Sequence, residues 1–298
     1  GRTYLSLANN FNEKSIAFAV ATDSNLDYSA REFLDGFAER ITASGALPYR
    51  VAYNAYASDP TVTDIRIDEY ATDSFDTPYI SMQNIEVLCE YLHQEPFLYQ
   101  GTQLPLLISE FGISANPENT DSTEMQAAIF AYSYYKAVFR PEIEAMIYHT
   151  HVDLESDRSL YYGLWSHEAG TLSTPLAQKP IYQMYKYIDT KDTKSLPETA
   201  LARLGYSSWS AAIPGFSAYK LPERSLIETT NIPVKEISNQ NKGTKLFDFT
   251  SESLYEFYPS DSAEYIEIRT DTDGKSKLYA CLYSVNAAEY MGIGRTFP

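Results

Sequence analysis

Apolar strand-like runs and amphipathic helix-like runs alternate through residues 2–188, and no other feature restricts the fold as strongly. Residues 2–8 (RTYLSLA) read as a strand. Residues 29–41 (SAREFLDGFAERI) set Phe33, Leu34, Phe37 and Ile41 on one helical face. Residues 49–56 form the next strand and 84–93 the next helix. The most apolar strand follows at 104–111 (LPLLISEF). Asp121, with Glu124 three residues on, has the form of a capping box and opens a helix running to Phe139. Its inner face holds Met125, Ala128, Ile129, Tyr132 and Phe139. Residues 143–153 give the fourth strand and 180–188 the fourth helix. Near-continuous apolar strands joined by helices predict an α/β fold, a parallel sheet covered by helices.

Composition excludes several classes. Lys and Arg total 23 against 40 Asp and Glu, a formal charge of −17, which opposes nucleic acid as a partner. No run approaches the roughly 18 apolar residues of a membrane span. Cys89 and Cys281 are too few for a disulfide framework. The excess of tyrosine, 26 residues against 2 Trp, suits a sugar cleft, an interface or an aromatic core equally.

The alternation stops near residues 191–199 (KDTKSLPET), which read as a linker. We therefore expect domains at 1–192 and 200–298. The second is expected to be β-rich, with strands at 245–249, 263–269 and 277–283 and a hairpin turn at Asp273-Gly274. The long connection between Tyr56 and Asn84 is rich in Asp, and loops of that length in a compact α/β unit are usually functional.

In parallel α/β folds chemistry collects at the C-terminal ends of the strands. Strict period-2 alternation puts Glu110 on one face with Leu106 and Ile108. A carboxylate there needs a partner or a cleft, because an unpaired buried charge is costly. On the fourth strand, alternation groups His149, His151 and Asp153. That set reads as the polar wall of a sugar cleft or as a metal site, and the metal reading lacks an independent further ligand. Asn54 and Tyr56 end the second strand, Asn9 and Asn10 the first, and Trp165 could stack on a sugar ring or simply pack. No nucleophile elbow, Walker motif or dinucleotide fingerprint is present, so no cofactor is expected.

Leu106-Leu107-Ile108-Ser109-Glu110-Phe111-Gly112 resembles the seventh strand of the (β/α)8 barrel in clan A glycoside hydrolases, which ends on the nucleophile Glu. More closely, the chain is similar to a bacterial barrel family catalogued as a domain of unknown function. The likeness runs through Val51-Ala52-Tyr53, Thr77-Pro78-Tyr79-Ile80, Ser109-Glu110 with Gly112, and Tyr148-His149 with Val152-Asp153. It continues through Gly163-Leu164-Trp165 and Ala288-Glu289 with Gly292-Ile293. Members tend to carry His-Pro where Asn54-Ala55 stands here, and Gln where Phe111 stands.

The resemblance implies a TIM-barrel type of which this chain holds strands five to eight, followed by a β-sandwich-like domain. A (β/α)8 barrel takes about 250 residues, more than the βα part offers. A missing N-terminal segment or a second copy is therefore expected to cover the half-barrel edge. The implied activity is retaining hydrolysis of a poly- or oligosaccharide by a secreted or cell-surface bacterial protein. Glu110 is the implied nucleophile, with Asn54, Tyr56, His149, His151, Asp153 and Trp165 at the sugar. The acid/base would belong to an Asn-Glu pair on strand four, which Asn12-Glu13 does not match in position. Asp153 is the remaining candidate for that role. The rival readings are a non-catalytic carbohydrate-binding or scaffold protein and a metal-dependent hydrolase on His149, His151 and Asp153.

Overall fold

A computed structural model describes residues 3–13, 28–43, 49–218 apart from 158, 172 and 194, residue 221, and strands at 234–237, 254–257 and 293–296. The chain divides into two compact units, Gly1–Arg224 with Tyr283–Pro298, and Ser225–Leu282.

The first unit is α/β. Strand β1 (Thr3–Leu7) is followed by helix α1 (Ala30–Ala43) and strand β2 (Tyr49–Asn54). Helix α2 (Ile85–Leu92) precedes two short antiparallel strands, β3 (Leu98–Tyr99) and β4 (Thr102–Gln103). Strand β5 (Leu106–Phe111), helix α3 (Thr120–Val138) and strand β6 (Ile143–Tyr148) come next. The antiparallel pair β7 (Trp165–His167) and β8 (Pro175–Gln178) leads into helix α4 (Pro180–Tyr187). Strands β1, β2, β5 and β6 are parallel, and each lies beside the next in chain order.

One face of this sheet is the core. Leu5, Val51, Tyr53, Ile108, Met146 and Tyr148 are buried on it. Phe37 of α1 meets Tyr49, Phe130 of α3 meets Tyr148 edge-on, and Tyr185 of α4 lies against Tyr148. Much of the tyrosine excess is spent here and along α3, where Tyr134 and Tyr135 are fully buried. The other face holds Ser6, Arg50, Ala52, Leu107, Glu144 and Ile147, most of them in part open to solvent. Arg50 reaches across β5 to Glu144, with Nε 2.7 Å from Oε1.

Three expectations are corrected. Helix α3 is capped by Asn119, whose Oδ1 accepts the Ser122 N–H at 3.3 Å, rather than by Asp121 with Glu124. Those two carboxylates hold Arg203 instead. The fourth strand ends at Tyr148, not at Asp153. Residues 191–199 are not a linker: Ser195 precedes helix α5 (Leu196–Leu204), whose Pro197 suits a first turn, and α5 packs on α3. Helix α6 (Trp209–Ala212) follows, with Trp209 against Tyr135 at 4.6 Å. The first unit therefore continues past the expected boundary at 192.

Strand β11 (Ile293–Thr296) also belongs to the first unit and pairs antiparallel with β6. In the second unit, β9 (Val234–Ile237) and β10 (Leu254–Phe257) form a parallel pair. The strands expected at 245–249, 263–269 and 277–283 and their hairpin lie outside the described residues.

The Asp-rich connection after β2 is tied to itself. Asp68 accepts from the backbone N–H and hydroxyl of Ser58, and Asp64 caps the short turn Ile65–Ile67. Thr77 and Asn84, both fully buried, bind the carbonyls around Tyr79, and Ile80 N–H binds Asn9 O. This loop docks onto the end of β1.

Ile108 sits at the middle of the covered face with no exposure. Ile108→Ala should cost about 2–5 kcal/mol. The check is urea unfolding, with a lowered midpoint and an unchanged slope.

Candidate active site

The ends of β2, β5 and β6 bring the site together. Tyr53 faces Ile108, yet the next residue, Asn54, faces Glu110, so Ser109 is an extra residue in β5. The same excess shows against β6, where Ile108 faces Met146 and Phe111 faces Tyr148. This bulge breaks the period-2 rule. Glu110 leaves the face of Leu106 and Ile108 and joins Asn54 on the open face. The expected grouping of Glu110 with the buried aliphatics is thereby overturned.

Glu110 is half-buried and well held. Tyr56 Oη donates to its Oε1 at 2.7 Å, and Asn54 Nδ2 lies 3.5 Å from its Oε2. The Asn54 amide is oriented in turn, because its Oδ1 accepts from Ser109 Oγ at 2.8 Å. Burial first, and then the neighbouring Glu110 charge and hydrogen bond, push the Tyr56 phenol well up, so it stays a donor.

A second group stands alongside. His149 follows β6, and its N–H bonds the Phe111 carbonyl at 2.8 Å. Its Nε2 lies 3.1 Å from Asp157 Oδ2. The Tyr162 ring sits between the two groups, 5.6 Å from Tyr56 and 5.4 Å from His149. Burial, then the charges of Asp157 and Glu110, push the Tyr162 phenol up. Gly112 leaves room for this contact. A Cβ there would stand 2.6 Å from His149 O and 2.7 Å from Tyr162 Cδ1.

The side chains of Asp153 and Trp165 make their contacts outside this group. Asp153 is fully buried and binds Lys179 at 3.0 Å and the Gly163 N–H at 2.6 Å, because the chain has left the strand before reaching it. It faces the interior and lines no cleft. His151 is half-buried, and burial lowers its imidazole pKa. Its carbonyl accepts the Trp165 N–H at 3.0 Å. Trp165 packs edge-on against Tyr182 of α4 at 5.6 Å. Because Asp153 is engaged by Lys179, the set His149, His151 and Asp153 does not converge as ligands. Among the described residues no group of three His, Cys, Asp or Glu could hold a metal ion.

Residues 1–212 match the model of a family of unknown function, DUF5722. The chain belongs to that family. The match ends on the last residue of α6, so the family unit includes α5 and α6 and not only the βα part. No curated protein and no solved structure matches the chain. Among the described residues no helix is long and apolar enough to cross a membrane.

Asp157 and Tyr162 escape the sequence reading, which names Ser109 only as the neighbour of Glu110. Tyr162 immediately precedes the Gly163-Leu164-Trp165 motif, which is the signal that could have found it. Asp157 carries no such signal.

Two glycines test the packing around the site. Gly112→Ala should destabilise by about 1–3 kcal/mol through overlap with His149 and Tyr162. Gly36→Ala, in open space on α1, should stabilise by about 0.5–1 kcal/mol. Thermal unfolding of both variants beside the wild type checks the opposite signs.

Proposed function

We propose that this chain belongs to a carbohydrate-active (β/α)8-type barrel and that Glu110 is the nucleophile of retaining glycoside hydrolysis. The observation that carries this reading is the Tyr56–Glu110 hydrogen bond at the C-terminal end of a sequentially ordered parallel sheet. In an open doubly wound sheet the strand order reverses at a switch point. Here it does not reverse, and right-handed crossovers that always step the same way lay their helices on one face. That arrangement suits half of a barrel wall, with the open face as its interior. Because β11 lies along β6, a second copy of the chain, or a segment outside it, would extend the wall from the β1 edge.

In this reading the Glu110 carboxylate attacks the anomeric carbon and the leaving oxygen departs with a proton, giving a glycosyl ester. Water then hydrolyses the ester and Glu110 is regenerated. Tyr56 keeps the attacking oxygen aimed, and its O–H shifts toward the ester as charge leaves Glu110. Asn54, with its Nδ2 turned to the same side, and His149 contact sugar hydroxyls. The acid that protonates the leaving group would stand on another strand of the completed barrel. A bacterial protein acting at the cell surface or outside it would meet such a substrate.

A non-catalytic carbohydrate-binding role is the second reading: the resemblance implies a His where Asn54 stands, and an amide cannot supply a proton there. Turnover separates the two. Glu110→Gln in the full-length protein should lower hydrolysis of its glycoside by at least about 10³-fold. Tyr56→Phe should lower it by about 10- to 100-fold, or 1.4–2.8 kcal/mol. The checks are kcat/KM over a glycoside panel and NMR of the first-formed anomer. Undiminished hydrolysis by Glu110→Gln sinks the assignment, and polysaccharide binding without turnover selects the binding role.

A further inference from the structure

Behind the site lies a buried ion pair that the proposed chemistry does not use. Lys179, at the start of α4, places Nζ 3.0 Å from Asp153 Oδ1, and both side chains are buried. Burial raises the Asp153 carboxyl and lowers the Lys179 amine, and each charge offsets part of the other's shift. Removing two charges from water is expensive, and an apolar pair of similar volume often stabilises a fold as well or better. The pair therefore calls for a reason other than stability.

Its remaining bonds supply one. Asp153 Oδ1 also accepts the Gly163 N–H at 2.6 Å, and Lys179 Nζ also donates to the Tyr161 carbonyl at 2.9 Å. The two ions thus grip the backbone on both sides of Tyr162. The Tyr162 carbonyl is held as well, by Tyr148 Oη at 2.8 Å and by Gln126 Nε2 at 3.3 Å. A Cβ at Gly163 would overlap the Asp153 backbone, so this close approach requires glycine. The ring fixed in this way is the one that stands between Tyr56, the donor to Glu110, and His149, the partner of Asp157.

We propose that Asp153 and Lys179 are positioning residues for the Glu110 site, acting through Tyr162. The functional half of this statement rests on the glycosidase reading; the positioning half does not. Asp153→Leu with Lys179→Met removes both charges together and avoids a stranded ion. The double variant should fold with a melting temperature close to that of the wild type. Its His149 ring signals, read from ¹H–¹³C NMR of the four histidines, should move while those of His93 stay in place. Its kcat on the glycoside should fall by about 10- to 100-fold with little change in KM.

A milder pair, Asp153→Asn with Lys179→Met, keeps an acceptor for the Gly163 N–H and should restore part of both effects. Unchanged His149 signals and unchanged kcat in a folded double variant overturn the proposal. So does failure of both variants to fold, since the pair would then serve the fold itself. Full activity of Glu110→Gln would instead defeat the glycosidase reading and leave the His149 measurement to decide the positioning.

Discussion

One extra residue in β5 decides what the rest of the site can be. A carboxylate in register with Ile108 would point into a core lined by fully buried side chains, where ionisation is costly. The bulge at Ser109 turns Glu110 to the open face, beside Asn54 and under the Tyr56 hydroxyl. It does so while Phe111 returns to the core against Tyr148. A single strand thus serves a dry face and a wet site within three residues.

Around that point the molecule is built in layers. Helices α1, α3 and α4 cover one face with aromatic contacts, and α5 and α6 cover α3 in turn. On the other side, Tyr56, Tyr162 and His149 form a wall of rings between two carboxylates, Glu110 and Asp157. None of these rings is free to choose its place. Tyr56 is fixed by Glu110, Tyr162 by its gripped backbone and His149 by Asp157.

The elements were legible because apolar runs of the right period are a strong signal. The strands that became β2, β5 and β6 and the helices α2 and α3 could all be read from residue type and spacing. What could not be read depends on tertiary contacts. Ser109 is neither Gly nor Pro, so nothing local marks a bulge. Alternation was carried past Tyr148, where the strand has ended, and this misplaced Asp153. The start of α5 looked like a linker because a helix's first turn is polar and admits proline, while its apolar side is short and gains meaning only against α3. The tyrosine count alone is ambiguous, since a phenol in a core and a phenol bonded to a half-buried carboxylate have the same one-letter code.

The seat of α5 and α6 on α3 has a practical side. A shorter polypeptide ending at residue 192 would look self-sufficient by its βα pattern. It would uncover Tyr135 and strip away Trp209 and Phe216, which stack beside it. It would also take from Arg66 the Leu204 carbonyl that anchors the Asp-rich loop to the helical layer. Such a fragment would carry a sticky aromatic patch on one side and a loosened loop after β2. Insolubility of that piece would then reflect where it was cut rather than any frailty of the protein.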